Sequence, residues 1–284
     1  MRPSLRDEGR TVGIIGGTGR MGSLFRRIFE VFGCSVEVIG RAPASEYQEL
    51  ARRCGVVLIT VPISVTEEVI RSLAPVLEND QLIADLTSIK QRPVAAMLES
   101  AAQVIGLHPL FGPNMATIQH QKLIMTPARA DPETQIWLQG IFEEAGMQVH
   151  LTTPKEHDRA MAVTQGVIHL QSIALAQTLR SMNCTPEELL PFATPNAHAT
   201  FAFMARTLSQ DSSLYGGILL DNPSVKEAIS AYFAAVEEMQ NMIIRHDPIE
   251  FRQVFEKNAA FLSSFTGDAI PLTDHLLDQV VNEW

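Results

Sequence analysis

Val12-Gly13-Ile14-Ile15-Gly16-Gly17-Thr18-Gly19-Arg20-Met21-Gly22 is the stretch that decides the fold. A short apolar run opens it, a GxGxxG turn occupies residues 17–22, and Ser23 to Phe32 continues with apolar residues at helical spacing. Strand, glycine turn and helix in that order form the dinucleotide-binding fingerprint. The first glycine permits a tight turn, the second lets backbone approach a pyrophosphate, and the third lets helix and strand pack closely. The N–H groups at the helix start then face the phosphates. Gly17, Thr18, Gly19, Arg20, Met21 and Gly22 are the expected cofactor-binding residues.

The same alternation runs outward to about Leu151. Short runs at Val12 to Ile15, Ser35 to Ile39, Val56 to Val61, Leu82 to Asp85, Val104 to Leu107, Leu123 to Thr126 and Gln148 to Leu151 read as strands covered on both faces. Gly22 to Phe32, Thr66 to Leu77, Pro93 to Ser100 and Pro132 to Ala145 read as the helices between them. This predicts an N-terminal α/β domain, Rossmann-type, with a doubly wound parallel sheet. At Thr152-Thr153-Pro154 the pattern changes and only long helical periods follow: Pro154 to Met182, Thr185 to Leu190, Pro195 to Ser209, Ser212 to Asn222, Ser224 to Arg245, Pro248 to Phe265 and Asp268 to Trp284. The expected division is residues 1–152 for the dinucleotide and 153–284 for an all-α substrate and dimerisation domain. Val163 to Leu179 is apolar enough to need a second surface, so a homodimer is expected.

Bulk composition narrows the partners. With 284 residues and 46% hydrophobic content there is material for two cores. Lys plus Arg 22 against Asp plus Glu 32 gives a net charge of −10, which argues against nucleic acid and anionic membrane and for a small molecule. Cys34, Cys54 and Cys184 lie far apart without a CxxC pair, so reduced, mostly buried thiols are expected and no metal site. Met1 to Arg10 is charged without an apolar h-region, and no run reaches about 18 apolar residues, as a membrane span needs. A cytoplasmic protein is the expectation.

The second strand ends Val38-Ile39-Gly40-Arg41. An acid there would bond a ribose 2′-hydroxyl, whereas Arg41 suits a 2′-phosphate, so NADP is favoured over NAD. The alternative is that Arg41 is a solvated surface charge. Ligands of such sheets sit beyond the carboxyl ends of the strands. Three loops stand there: Thr60-Val61-Pro62-Ile63, Asp85-Leu86-Thr87-Ser88-Ile89-Lys90, and Gly106-Leu107-His108-Pro109-Leu110-Phe111-Gly112-Pro113. Val61 and Pro62 are assigned to the cofactor.

These loops, with the GGTGRMG turn and the EHDRAM opening of the helical half, resemble the TyrA family of prephenate and arogenate dehydrogenases. The likeness covers nearly the whole chain and is nearest to the dehydrogenase part of the bifunctional chorismate mutase/prephenate dehydrogenase of enteric bacteria. Few residues precede the first strand and follow Phe265, so neither the mutase region nor an ACT domain is expected. The resemblance implies oxidative decarboxylation of a cyclohexadienyl acid to an aromatic product, with hydride passing to NAD(P), in tyrosine-type biosynthesis. His108 matches the histidine that accepts the ring hydroxyl proton, which requires a neutral imidazole. Ser88 matches a serine assisting it; a plain helix N-cap before Pro93 is the other possibility. Lys90 follows in that loop and is assigned to substrate. His169 matches a histidine near the substrate, and Arg206 an arginine that binds its carboxylate. His157 and Asp158 open the long helix, and Asp158 is read as first-turn electrostatics with the macrodipole.

Departures from the family pattern concern the substrate. Asn114-Met115 stands where relatives carry an acid and a serine, and His198 where enteric relatives carry an arginine. Asn114 is therefore assigned to substrate, which becomes prephenate, arogenate or 4-amino-4-deoxyprephenate. Two rivals remain. A β-hydroxyacid or 6-phosphogluconate-type dehydrogenase would need a catalytic lysine in the helical half, and His157 to Arg180 contains none. A non-catalytic NADP-sensing protein would share the fold.

Overall fold

The computed structural model describes residues 10–283. The charged leader at 1–9 and Trp284, the last residue of the final expected helix, lie outside the described residues. The elements run β1 (Thr11–Ile15), α1 (Arg20–Val31), β2 (Ser35–Ile39), α2 (Ala44–Arg53), β3 (Val56–Ile59), α3 (Ile63–Leu73), β4 (Leu82–Asp85), α4 (Gln91–Met97), β5 (Gln103–Pro109), β6 (Lys122–Arg129), α5 (Pro132–Glu144) and β7 (Gln148–Leu151). Then come α6 (Pro154–Met161), a π-helical turn (Ala162–Val167), α7 (Ile168–Ser181), α8 (Pro186–Leu189), α9 (Pro195–Leu208), α10 (Ser212–Asp221), α11 (Val225–Arg245), α12 (Pro248–Phe261) and α13 (Ser263–Glu283).

The strands form one sheet in the order β2-β1-β3-β4-β5-β6-β7. Alternate side chains of β1, β3, β4 and β5 enter different cores. Val12, Ile14, Leu58 and Leu107 meet Phe25 and Phe29 of α1 and Trp137 and Phe142 of α5. Ile15, Val57, Ile59 and Val104 meet Tyr47 and Leu50 of α2, Ile70 of α3 and Met97 of α4 on the other face. Burying each such aromatic or branched side chain contributes about 1.5–3 kcal/mol. The order reverses between β1 and β3, the switch point beyond which such sheets bind ligands.

Strands β1 to β5 are mutually parallel, as expected, but β6 pairs antiparallel to β5, and β7 runs with β6. The cause is local: no helix lies between β5 and β6, so the chain returns beside itself, whereas α5 supplies the crossover that makes β6 and β7 parallel. Helix α2 was not among the expected helices.

The chain divides into two compact units. One runs through Ala162 and includes Gly216–Ser224; the other comprises Val163–Tyr215 and Val225–Trp284. The first change of unit thus falls at the π-helical turn, ten residues beyond the change in sequence pattern. Within the first unit, Gly216–Ser224 is held by three contacts. Asp221 Oδ1 accepts from Arg92 Nη1 at 2.8 Å, Asn222 Nδ2 donates to the Asp158 carbonyl at 2.9 Å, and Gly217 lies so close to Ile63 that a Cβ would stand 3.0 Å from it.

In the helical unit α7 and α13 both pack on α9. Neither α7 nor α12 has a fully buried residue, and large apolar side chains face outward, Phe192 and Phe261 at 86% and 84% exposure. No helix among the described residues is long and apolar enough to cross a membrane. Cys34 and Cys54 are buried and Cys184 is half-buried, and none of the three is in a disulfide.

Candidate active site

The glycine turn fits a dinucleotide. A Cβ on Gly22 would stand 2.6 Å from Gly17 Cα and 2.7 Å from the Gly16 carbonyl oxygen, so only glycine lets α1 begin there. Gly19 is the N-cap of α1 and no side chain caps the helix, which leaves its first amides to a phosphate. Thr60 N donates to the Ile15 carbonyl at 2.8 Å, bringing Val61 and Pro62 beside Gly16. Thr18 packs over Gly40, whose missing Cβ would meet Thr18 Oγ1 at 2.8 Å. The Gly40–Ala42 bend is pinned by Tyr47, whose hydroxyl donates to the Gly40 carbonyl at 3.2 Å and accepts from Ala42 N at 3.0 Å. Arg41 rides this bend, exposed. Met21 is half-buried against the core below the turn. Arg20 Nη1 donates to Asn114 Oδ1 at 3.0 Å, linking the glycine turn to the loop after β5.

His108 is the last residue but one of β5 and is buried. Its Nδ1 lies 2.8 Å from Nε2 of His157 in α6, and His157 Nδ1 lies 2.8 Å from Asp158 Oδ1. Burial, reinforced by His157 and the Lys90 ammonium, holds the His108 imidazole well below the usual histidine range. Burial also lowers His157, against the opposing bond to Asp158. For Asp158 burial alone would raise the carboxyl, but bonds from His157, Gln91 and Lys90 outweigh it and hold the group below its ordinary value.

Two expectations need correction. Asp158 is not first-turn electrostatics. Helix α6 is capped by Thr153, which accepts from Glu156 N at 3.2 Å while Glu156 Oε2 accepts from Thr153 N at 3.2 Å. Asp158, one position further on than His157, is wholly buried and accepts the backbone N–H of Lys90 at 2.7 Å and of Gln91 at 2.9 Å. Nor does Lys90 face a substrate. Its side chain is fully buried, donating from Nζ to Asp85 Oδ2 at 2.5 Å and to the Leu107 carbonyl at 2.8 Å. Gly106 makes room for it, since a Cβ there would stand 2.9 Å from Lys90 Cδ. A charged amine so enclosed needs a carboxylate partner, and Asp85 at the end of β4 supplies it.

Ser88, between Asp85 and Lys90, is half-buried; helix α4 begins at Gln91 with Lys90 as its N-cap, so Ser88 does not cap it. His169, His198 and Arg206 belong to the helical unit. His169 is half-buried, edge-on to Tyr215 with ring centroids 4.7 Å apart, and Arg206 is exposed on α9.

A separate cavity of about 400 Å³ lies at the start of α3, lined among others by Glu67, Arg71, Arg92 and Asp221. Arg92 Nε stands 2.6 Å from Glu67, Arg92 Nη1 2.8 Å from Asp221, and Arg71 Nη2 3.1 Å from Glu67, so these charges serve one another. Among the described residues no cluster of His, Cys, Asp and Glu is placed to hold a metal.

Sequence reasoning missed the partnership of His157 and Asp158 with His108. The adjacent acid and imidazole were visible, but their partners stand far away in sequence and nothing in the local pattern announces them.

Comparison with known proteins identifies the family. Residues 32–151 match the family profile "Prephenate dehydrogenase, nucleotide-binding domain", and residues 153–257 match "Prephenate dehydrogenase, dimerization domain". The chain is 31% identical to the "T-protein" of Enterobacter agglomerans, over 89% of this chain and 68% of that one. It is 30% identical to the "Probable arogenate/prephenate dehydrogenase" of Methanocaldococcus jannaschii over 92% of this chain, and spans 63% of that protein's length. The fold is similar to that of prephenate dehydrogenase from A. aeolicus, solved with hydroxyphenyl propionate and NAD+, at a TM-score of 0.72 and 20% identity over 90% of this chain and 98% of that one. Two profiles in tandem and a relative of this identity establish that the chain belongs to the prephenate dehydrogenase family.

Proposed function

We propose that the chain catalyses the oxidative decarboxylation of a cyclohexadienyl carboxylate, namely prephenate, arogenate or 4-amino-4-deoxyprephenate, to an aromatic product. The observation that carries this is a buried histidine, held neutral, at the carboxyl end of β5 in the sheet that bears the glycine turn. A neutral imidazole can take a proton where an imidazolium cannot.

Gly17, Thr18, Gly19, Arg20 and Gly22 hold the dinucleotide, with Val61 and Pro62 beside the turn. When bound, its nicotinamide accepts the hydride leaving the substrate ring. Arg41 favours NADP, because the bend pinned by Tyr47 offers a guanidinium to a 2′-phosphate and no acid to a 2′-hydroxyl. His108 draws the proton from the ring hydroxyl, or from the ring amine of 4-amino-4-deoxyprephenate, as the carbonyl or imine forms, and Ser88 assists. The electron pair of the ring–carboxylate bond then enters the ring, carbon dioxide departs, and the carbonyl oxygen or imine nitrogen takes a proton back. Arg206 binds a substrate carboxylate, and His169 and Asn114 contribute to substrate binding. Aromatisation drives the sequence forward.

The enzyme works as a homodimer in the cytoplasm. The outward-facing Phe192, Phe203, Ile244 and Phe261 of the helical unit support the dimer, because a soluble monomer rarely leaves so much apolar surface to water. The test is absorbance at the reduced-nicotinamide band with NADP or NAD and each of the three ring acids in turn. Turnover with one of them is expected; no turnover with any, from protein that binds dinucleotide, refutes the reading.

A further inference from the structure

We infer that His157 and Asp158 form a positioning dyad that fixes the tautomer of His108, keeping its proton on Nδ1 and its lone pair on Nε2. The inference deepens the proposed function and rests on His108 being the base there. It follows from counting donors along one chain of contacts, which is how imidazole protons are assigned in any network.

At one end of this chain of contacts no choice exists. The backbone amides of Lys90 and Gln91 can only donate, and both donate to the Asp158 carboxylate, one to each oxygen. Asp158 is held ionised by these bonds and has no proton to give. The 2.8 Å contact between His157 Nδ1 and Asp158 Oδ1 must therefore carry a hydrogen on His157 Nδ1. His157 is held neutral by its burial, so its single proton is spent there and Nε2 is an acceptor. The 2.8 Å contact between His108 Nδ1 and His157 Nε2 then needs its hydrogen on His108 Nδ1. His108 is neutral as well, and Nε2 keeps its lone pair. A free imidazole prefers the opposite tautomer, so the dyad imposes a form that the ring would not choose alone.

The charged groups facing the two rings agree with this. Lys90 at the start of α4 lowers both imidazoles, Asp158 in α6 and Asp85 in β4 favour charge on His157, and burial keeps both rings neutral until a proton arrives. When His108 takes a substrate proton on Nε2, its Nδ1–H still points at His157 Nε2. The new cation is then bonded to a ring that is itself bonded to a carboxylate. His157 and Asp158 touch no reacting atom; they act through His108.

The proposal is tested by ¹⁵N NMR of histidine-labelled protein near pH 7.5, together with the pH dependence of kcat/KM. In the wild type His108 is expected to carry its proton on Nδ1. His157→Phe, which offers no acceptor, should move the proton to Nε2, lower kcat at least about 100-fold with KM changed far less, and leave dinucleotide binding intact. His157→Gln, whose amide oxygen can still accept from Nδ1, should keep the wild-type tautomer and recover part of kcat. A wild-type spectrum with His108 protonated on Nε2 overturns the proposal, as does a His157→Phe spectrum identical to the wild type. The wild-type spectrum decides the matter even if a variant fails to fold. The NMR result needs no substrate, so silence with all three ring acids would refute the proposed function while leaving the tautomer assignment standing.

Discussion

Asp158 Oδ1 accepts the Lys90 backbone N–H at 2.7 Å, joining residues 68 positions apart. The carboxylate thereby stands in for the side-chain cap that helix α4 lacks and ties α6 to the loop after β4. Replacing Asp158 by alanine would strand the buried Lys90 amide, the half-buried Gln91 amide and the His157 ring N–H. A loss of about 2–4 kcal/mol in folding stability is expected, read from the urea midpoint. A loss below about 0.5 kcal/mol would mean that the bond does not hold α4.

The Lys90–Asp85 pair is fully enclosed. Removing one partner leaves a buried charge, so Lys90→Met should destabilise the protein by about 3–5 kcal/mol, whereas Lys90→Met with Asp85→Leu should recover much of that. Thermal or urea unfolding of both variants checks this. Equal losses for single and double variants would contradict the ion-pair account.

Acid should destabilise the fold from about pH 6.5 downward. His108, His157 and His169 all have pKa values lowered in the folded chain by burial. Below the ordinary histidine value the unfolded chain takes up protons that the folded one refuses. The unfolded state thus binds more protons, and stability falls as pH falls through this window until the folded groups titrate. Asp158, also lowered, adds a loss further down, below the ordinary carboxyl range. The thermal midpoint should therefore be lower at pH 5 than at pH 7.5; an unchanged midpoint would be inconsistent with neutral buried imidazoles.

Arg41→Ala should lower kcat/KM with NADP by about 10- to 100-fold, the worth of one or two charge-assisted bonds, and leave NAD nearly unaffected. Steady-state kinetics with both cofactors measure it. Equal effects on the two would make Arg41 a surface charge and no more.

Much of the fold was legible because parallel strands covered on both faces are written as unbroken apolar runs. Val56–Ile59 and Leu82–Asp85 could hardly be read otherwise. Helix α2 was missed because Ala44–Arg53 is mostly polar and buries only Tyr47, Leu50 and Ala51. The signals were there: Pro43 before it, Glu46 in its first turn, Arg52 and Arg53 in its last. The reversal of β6 could be foreseen only from the missing helix after β5. At the site, His108 was legible from its loop. Lys90 was not, because a charge at a strand end reads as ligand-facing until one knows that Gly106 makes room for its stem. Whether Asp158 serves its own helix or a distant one depends on packing that no local pattern encodes.

The return of Gly216–Ser224 into the α/β unit bears on how such a protein can change over generations. A break at residue 152 looks like a clean seam, yet it parts His108 from His157, Lys90 from Asp158, and Arg92 from Asp221. Halves exchanged between relatives at that seam would inherit a histidine from one parent and the groups that set its proton from another. The two halves are bound to drift together, and a successful chimera would have to carry the 153–162 segment and the 216–224 return with the first half.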